Sequence, residues 1–381
     1  MISRKFAAIA AGLTLTLGLA ACGGEGAGSG DDNNGGAANG EPSDLTVGVA
    51  MPTQTSERWI ADGAAVEDSL KELGYNVDLQ FANDQIPTQQ QQIDQMVTQG
   101  VDALIIASID GTALSTQLDA AGAAGIPVIA YDRLINGNEN VDFYVTFDNE
   151  NVGVQQATSL LVGLGILNAD GSEGDAEGPF NVELFAGSPD DNNATFFFNG
   201  AMKTLEPYIE DGTLVVKSGQ TDFGTVATQR WSQEEAQKRM ENLLTSTYQG
   251  SDKVDGVLSP FDGISRGIIS ALEGAGYSGD DMPIITGQDA EIASVKLIND
   301  GVQFSTIFKD TRKLADQAVS AAQTYLEGGT PEPNDTDSYN NGVKNVPSFL
   351  LESDIVYKDN ITSLLVDSGY YTQEQVDSGQ A

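Results

Sequence analysis

Short apolar runs alternate with longer segments in which apolar residues recur every three or four positions, from residue 45 almost to the end of the chain. Runs such as residues 103–107 and 127–131 are typical of buried strands in a parallel sheet. Segments such as residues 58–73 predict amphipathic helices. Because strands and helices alternate with short connections, the pattern predicts an α/β fold with parallel sheets flanked by helices.

The alternation runs twice, which predicts two Rossmann-like lobes. The first run predicts strands at 45–51, 76–81, 103–107, 127–131 and 142–147 and helices at 58–73, 87–99 and 114–124. A helix over 149–164, with Asn149 or Asp148 as its cap, and a Gly- and Asp-rich loop over 168–179 follow. The second run predicts strands at 181–185, 213–217, 256–259, 283–287 and 303–309 and helices at 193–205, 232–247, 263–272, 292–299 and 311–327. The chain closes with a strand at 346–351 and a helix near 359–367.

The N-terminus carries an export signal rather than part of the fold. Arg4 and Lys5 precede an uncharged apolar run over residues 6–19 that is too short to span a membrane. Cys22 follows small residues, is the only cysteine, and resembles the lipidated cysteine of a bacterial lipobox. We therefore expect a lipoprotein signal peptide at 1–21, a lipid anchor on Cys22, and a flexible tether over 22–44, with a conventional signal peptide as the alternative.

Charge and histidine content exclude several function classes. The chain has 18 basic and 56 acidic residues, a net charge of −38, which disfavours a nucleic-acid backbone as partner. It has no histidine, which excludes Ser-His-Asp and Cys-His catalysis and histidine-ligated metals. The acidic spacing in 168–179 does not complete a calcium-loop pattern. The sequence therefore predicts neither a metal nor a cofactor.

Polar and aromatic residues cluster just past the predicted strand ends, where ligands bind in open α/β sheets. Both tryptophans of the chain directly follow an arginine at a loop-to-helix junction. The residues in question are Arg58, Trp59, Asp132, Arg133, Asp191, Asn193, Trp231, Asp262, Asp289 and Lys309. Carboxylates, amides and guanidinium groups hydrogen-bond adjacent sugar hydroxyls, and aromatic rings stack on the apolar face of a sugar. This set therefore predicts a site for a neutral monosaccharide.

Four of these positions have a structural interpretation as well. Asp132 and Arg133 can form an ion pair at the end of a strand. Trp231 can pack on a neighbouring helix. Asp262 can cap the helix that begins at Gly263, and Phe261 beside it can belong to the core. The sequence alone leaves these alternatives open.

The chain resembles the type I periplasmic sugar-binding proteins of the ribose, galactose and xylose group, over residues 45–371. The resemblance is greatest to members that bind D-xylose and to members that bind several monosaccharides. The matching motifs are Ser-Glu-Arg58-Trp59, Ala-Tyr-Asp132-Arg133-Leu-Ile, Thr-Phe-Asp148-Asn149, Gly-Ser-Pro-Asp-Asp191-Asn-Asn193, Gly-Gln-Asp289-Ala and Thr-Ile-Phe-Lys309.

The resemblance implies a monomeric binding protein, not an enzyme, that delivers a sugar to an ABC permease outside the cytoplasm. It implies three crossings between lobes, near Asp148, Thr306 and Val346, which form a hinge. The expected lobes are 45–147 with 308–346 and 148–307 with 347–381. The xylose-binding members of the family resemble one another in carrying an amide side chain at the position of Phe261. The apolar ring of Phe261 favours a site that tolerates several aldoses.

Other functions fit parts of the same pattern. A sugar sensor would share the site and differ only in its partner. A secreted glycosidase would use a carboxylate pair such as Asp132 and Asp191. One carboxyl group of the pair must then have a raised pKa, whereas we expect the neighbouring arginines to lower the pKa of both. A sugar-responsive repressor would need a DNA-binding segment and a basic surface.

Overall fold

The computed structural model of the chain describes residues 40–381. The predicted signal peptide, Cys22 and most of the predicted tether lie outside the described residues. Within residues 40–381 the chain forms twelve strands and eleven α-helices. The strands are β1 (Thr46–Met51), β2 (Asn76–Phe81), β3 (Ala103–Ile106), β4 (Val128–Tyr131), β5 (Phe143–Phe147), β6 (Phe180–Leu184), β7 (Leu214–Val216), β8 (Gly256–Leu258), β9 (Ile284–Ile285), β10 (Ser305–Phe308), β11 (Ser348–Leu351) and β12 (Asp354–Tyr357).

Capping residues mark the ends of several helices. Gly100 ends one helix in the left-handed conformation, and Ser232 caps another by accepting a hydrogen bond from the Glu235 amide. The helices are α1 (Glu57–Glu72), α2 (Ile86–Gln99), α3 (Ser115–Ala124), α4 (Asn149–Gly163), α5 (Asn192–Glu210), α6 (Phe223–Val226), α7 (Gln233–Ser246), α8 (Asp262–Gly274), α9 (Ile292–Asp300), α10 (Thr311–Leu326) and α11 (Gln373–Ser378).

The first sheet has six parallel strands in the order β11-β5-β4-β3-β1-β2. Its central strands are buried on both faces, which explains their uninterrupted apolar sequence. Helix α10 packs on this sheet, with Leu314 and Ala318 in the same apolar core as Val47. We call this sheet, together with α1, α2, α3 and α10, the first unit.

The second sheet has four parallel strands in the order β7-β6-β8-β9. Helices α4 and α5 cover one face and share its apolar core, and α7 and α8 pack together with the core on the other. We call this part the second unit. The prediction of an α/β fold with parallel sheets flanked by helices is confirmed.

Helices α4 and α5 lie unusually close together, and glycine makes this approach feasible. A Cβ on Gly153 would lie 2.0 Å from the Phe197 carbonyl oxygen, and a Cβ on Gly200 would lie 2.0 Å from the Glu150 carbonyl oxygen. The two helices therefore meet backbone to backbone. Their first turns carry Asn149 and Asn193, so this contact fixes polar side chains at the junction with the first unit.

The chain passes between the two units three times, after β5, after β10 and after β11. The predicted third boundary at 346 is wrong in one respect, because Ser348–Leu351 pairs in parallel with Phe143–Phe147 in the first sheet. The strand β12 was not predicted; it pairs antiparallel with β10 in a separate two-stranded sheet. The four residues of β12 have no alternating pattern and give too weak a signal to identify such a strand.

Two further details differ from the prediction. Asp148 rather than Asn149 caps α4, and its carboxylate accepts a hydrogen bond from the Asn151 amide. The predicted tail helix is a short 3₁₀ turn followed by the π-helical turn Thr362–Val366, and the later helix α11 was missed. The tail packs on the second unit through Leu365. None of the helices between residues 40 and 381 combines the length and the hydropathy that crossing a membrane requires.

Candidate functional site

A cavity of about 440 Å³ lies between the two units, at the carboxyl ends of strands from both sheets. Its walls contain nine of the ten predicted ligand-binding residues. These are Arg58, Trp59, Asp132, Arg133, Asp191, Asn193, Trp231, Asp289 and Lys309. Arg58 and Lys309, 251 positions apart in the chain, thus meet because parallel strands present their ends at one edge.

Arg58, in the first turn of α1, is at the centre of the charged groups. Its Nη2 lies 2.5 Å from Asp132 Oδ1, its Nε 3.0 Å from Asp62 Oδ2, and its Nη1 3.9 Å from Asp289 Oδ1. Tyr131 donates a very short hydrogen bond to the other oxygen of Asp62. Burial raises the pKa of Asp62 to about 6 even though Arg58 opposes it. Asp62 and Tyr131 therefore orient the guanidinium from behind the cavity.

The backbone of Asp132 is held in the left-handed region, with φ of 60°, directly after β4. Its carbonyl oxygen accepts hydrogen bonds from Tyr144 Oη, Thr146 Oγ1 and Asn193 Nδ2, at 2.7, 3.0 and 2.7 Å. Burial would raise the pKa of its carboxyl, but Arg58 and the nearby cations lower it to about 2. The side chain is therefore an anion aimed into the cavity.

Arg133 and Asp191 form an ion pair between the two units, with Arg133 Nε 3.1 Å from Asp191 Oδ2. The guanidinium of Arg133 also lies over the Trp59 ring, 5.0 Å from its centroid, and Arg58 lies 4.6 Å from the same centroid. Burial raises the pKa of Asp191 although Arg133 lowers it. The expected net lowering of the pKa is thus found at Asp132, whereas at Asp191 burial outweighs the effect of Arg133 and the net shift is upward.

Asp289 and Lys309 form a further ion pair on the cavity wall. Lys309 Nζ lies 2.9 Å from Asp289 Oδ1, an ion pair whose angles do not suit a hydrogen bond. Asp289 and Ala290 are both in the left-handed region, with φ of 88° and 48°. Such conformations are costly for residues other than glycine and concentrate at functional sites.

Three buried polar atoms on the cavity walls have no hydrogen-bond partner within residues 40–381. They are Arg133 Nε, Trp231 Nε1 and Asp289 Oδ1. Two are donors and one is an acceptor. Because a buried polar group without a partner is unfavourable, these atoms indicate where a polar ligand donates and accepts.

Aromatic rings form the remaining wall. Trp231 packs edge-on against Phe197 and Phe261, with centroids 6.3 and 6.1 Å apart. The Trp231 ring rests on Gly187, where a Cβ would lie 2.0 Å from the ring. Trp231 and Phe261 therefore both line the cavity and both pack against the apolar core of the second unit.

Asp262 does not line the cavity, which contradicts the prediction. It is the first residue of α8, fully buried, and accepts hydrogen bonds from the Glu291 amide, Gln303 Nε2 and Thr306 Oγ1. It does not cap its own helix. Burial raises the pKa of its carboxyl to about 8. Asp262 instead links α8 and the loop after Asp289 to strand β10.

Several cavity residues were missed by sequence reasoning. They are Thr53, Thr55, Ser56, Asp84, Phe197, Arg230, Ser232, Gln233, Gly263, Arg266, Gln288 and Glu291. The left-handed backbone of Asp84 and Arg230, with φ of 57° and 53°, has no clear sequence signal, because neither residue is glycine. Ser56 and Gln288 flank predicted residues, and their position was the available signal. No group of three or more metal-ligating side chains is present among residues 40–381.

A cleft between two parallel α/β units, lined by charged, amide and aromatic side chains, defines the molecule as a ligand-binding protein. Residues 47–330 match the periplasmic binding protein domain, and the chain belongs to that family. It has the type I fold of these proteins.

Individual relatives agree with this assignment. The chain is 54% identical over 333 residues to the multiple sugar-binding periplasmic receptor ChvE of Rhizobium radiobacter, covering 87% of this chain and 92% of that protein. It is 37% identical to the D-xylose-binding periplasmic protein of Haemophilus influenzae, covering 87% and 92%. A crystal structure of an ABC transporter solute-binding protein from Clostridium phytofermentans with bound β-D-glucose has a TM-score of 0.81 and 47% identity, covering 87% of this chain and 99% of that one. The family resemblance inferred from the motifs is confirmed, and these relatives are binding proteins rather than enzymes.

Proposed function

We propose that the protein binds a monosaccharide, an aldose such as xylose, glucose, galactose or arabinose, in the cavity between its two units. The observation that carries this proposal is the set of three buried atoms on the cavity walls that lack a hydrogen-bond partner within residues 40–381, two donors and one acceptor. Arg133 Nε and Asp289 Oδ1 are ion-paired, and Trp231 Nε1 has no charged neighbour of this kind in the described part of the chain. A sugar hydroxyl both donates and accepts, so it satisfies either kind of atom. The relatives described above support the same ligand class, because they are a multiple sugar-binding receptor, a D-xylose-binding protein and a binding protein with bound β-D-glucose.

The charges on the walls favour a neutral sugar. The cavity is lined by five cationic and five anionic side chains, so a neutral ligand leaves them balanced. Each charge-assisted hydrogen bond contributes about 1.5–3 kcal/mol net. Several such bonds, less the cost of ordering the ligand and the protein, correspond to a dissociation constant near micromolar, about −8 kcal/mol.

We expect the site to accept more than one aldose. Phe261 offers an apolar ring at the cavity wall and makes no directional demand on a hydroxyl. A sugar hydroxyl that faces this ring finds no hydrogen-bond partner there. A smaller sugar that lacks this hydroxyl therefore loses little binding free energy. A pentose and a hexose can therefore bind with affinities that differ modestly.

In this proposal the protein is a monomer with two lobes. One lobe is the first unit, and the other is the second unit with the C-terminal tail. The sugar contacts both, so it binds their closed arrangement more tightly than an open one. The closed form delivers the sugar to the permease of an ABC importer. A protein that serves a sensor instead would have the same site and a different partner.

We also propose that the protein works outside the cytoplasm and is attached to the membrane by a lipid on Cys22. The apolar run before Cys22 and its position after small residues support this proposal. Mass spectrometry of the purified chain tests it: a lipid-modified Cys22 at the N-terminus is expected in wild type, and a Cys22→Ser variant should be released from membranes. Equal membrane attachment of both proteins would contradict it.

Calorimetric titration of residues 36–381, which include both units, tests the sugar assignment. The protein is first freed of carried-over ligand by unfolding and refolding. The panel is xylose, glucose, galactose, arabinose, ribose and galacturonate. Comparable one-to-one binding of several aldoses supports broad specificity, and binding of one alone contradicts it. Binding of none by folded protein contradicts the proposed function.

A further inference from the structure

The cavity is larger than one monosaccharide. A volume of about 440 Å³ equals that of roughly 15 water molecules at about 30 Å³ each. A six-carbon aldose has about 12 non-hydrogen atoms and occupies roughly 180 Å³ if each takes about half the volume of a water. More than half of the cavity therefore lies beyond a single sugar ring.

The cavity has an inner part and an outer part that differ in burial. The inner part is formed mostly by the buried side chains already described, such as Asp132 and Lys309. The outer part is lined by half-buried or exposed polar side chains. Its members are Thr55, Asp84, Arg230, Ser232, Gln233 and Arg266.

The outer part is bounded by contacts between the two units rather than being an open gap. Arg230 Nη1 donates to the Asp84 carbonyl oxygen at 2.7 Å, and Ser56 Oγ donates to Glu291 Oε1 at 2.9 Å. These hydrogen bonds join residues 146 and 235 positions apart in the chain. They fix the width of the outer part in this arrangement of the units.

The chemistry of the outer part suits a neutral, hydroxyl-rich group. Arg230 and Arg266 are balanced by Asp84 and Glu291, and Arg266 Nη2 pairs with Glu291 Oε2 at 2.5 Å. The carboxylate of Asp84 accepts hydrogen bonds, and the amide of Gln233 both donates and accepts. The adjoining aromatic rings of the inner part continue an apolar surface towards this region.

We propose that the outer part binds a second sugar residue, so that the cleft takes a neutral disaccharide or glycoside as well as a monosaccharide. This inference rests on the proposed function, because the first sugar residue occupies the inner part. The second residue would contact Asp84 and Gln233 at the mouth. The exposure of this region leaves room for the added ring without displacing the buried ion pairs.

Calorimetric titrations of residues 36–381 with glucose, cellobiose and maltose test the proposal, with competition by glucose and chromatographic proof that the disaccharides stay intact. The variants are Gln233→Ala and Asp84→Asn; asparagine tolerates the left-handed backbone at position 84. Gln237→Ala, one turn further along α7 and outside the cavity, is the matched control.

We expect at least one disaccharide to bind one-to-one in competition with glucose. Gln233→Ala should weaken disaccharide binding about 2- to 10-fold, the size of a neutral hydrogen bond. Asp84→Asn removes a charged acceptor and should weaken it about 10-fold or more. Both variants should leave glucose binding within about 2-fold. Glucose binding without competition by either disaccharide at millimolar concentration would overturn the proposal. Equal weakening of glucose and disaccharide, or no effect of either variant, would also overturn it. Failure of glucose itself to bind would instead remove the proposed function on which it rests.

Discussion

Replacing Asp132 by asparagine removes the charge of a closely ion-paired acid of the cavity while preserving the shape of its side chain. Asparagine adopts the left-handed backbone that this position requires, with φ of 60°, more readily than alanine does. The substitution removes the negative charge that faces Arg58 Nη2 at 2.5 Å. It also replaces one acceptor oxygen by a donor, so the side chain accepts fewer hydrogen bonds from a sugar.

The structure sets the size of two effects. Loss of one charge-assisted hydrogen bond of about 1.5–3 kcal/mol should weaken sugar binding about 10- to 150-fold. Because neighbouring cations lower the pKa of Asp132 from 3.8 to about 2, its ionised form stabilises the fold by about 2 kcal/mol. This contribution is present above pH 4 and disappears as the pH falls to about 2.

Calorimetry measures the first effect and urea unfolding at several pH values measures the second. Asp68→Asn, a charge-equivalent change on the exposed surface of α1, is the control. The stability difference between wild type and Asp132→Asn should be about 2 kcal/mol at pH 7 and should shrink towards pH 2. Unchanged sugar affinity in a folded Asp132→Asn variant would refute the role given to this carboxylate.

Three other changes have outcomes that differ in kind. Trp231→Phe keeps a ring but removes the unpartnered Nε1, so sugar binding should weaken about 2- to 10-fold by calorimetry, with loss of part of the tryptophan fluorescence response. Gly200→Ala places a Cβ 2.0 Å from the Glu150 carbonyl oxygen and should destabilise the fold by about 3 kcal/mol in urea unfolding. Gly274→Ala is the matched control, because a Cβ there has no atom within 4 Å, and it should stabilise the fold by about 0.4–1 kcal/mol. Asp262 has a pKa raised from 3.8 to about 8, so its ionisation destabilises the fold at high pH, and this destabilisation decreases as the pH falls. Relative to Asp262→Asn, wild type should gain roughly 2–3 kcal/mol in the free energy of unfolding between pH 9 and pH 6.

Each of these expectations can fail clearly. Full affinity in Trp231→Phe would mean that the indole nitrogen does not contact the ligand. Equal stabilities of Gly200→Ala and Gly274→Ala would mean that α4 and α5 separate at little cost. A constant stability difference between wild type and Asp262→Asn across this pH range would show that the Asp262 carboxyl does not titrate there.

The order of strands and helices was predictable because each element of the two main sheets carries its own periodic signal. Strands such as β3 and β4 are uninterrupted apolar runs, and glycine residues such as Gly100 end their helices as expected. The partner of a strand is not encoded in this way. Ser348–Leu351 was recognised as a strand, but its pairing with β5 depends on tertiary packing.

The site was predictable to the extent that strand ends determine it. Asp132 and Asp289 follow short apolar strands, and both line the cavity, where the rule that ligands bind at strand ends predicts them. Asp262 obeys the same rule in sequence, yet donors from Glu291, Gln303 and Thr306 bind its carboxylate inside the second unit. Only the three-dimensional arrangement of donors distinguishes such a buried carboxylate from one that faces a ligand.

A crystal structure of residues 36–381 grown with D-glucose tests the central claim most directly. We predict one sugar ring in the inner part of the cavity, with its hydroxyls within hydrogen-bond distance of Arg133 Nε, Trp231 Nε1 and Asp289 Oδ1. Density for glucose at another surface, or a cavity filled only by water at saturating glucose, would contradict the account.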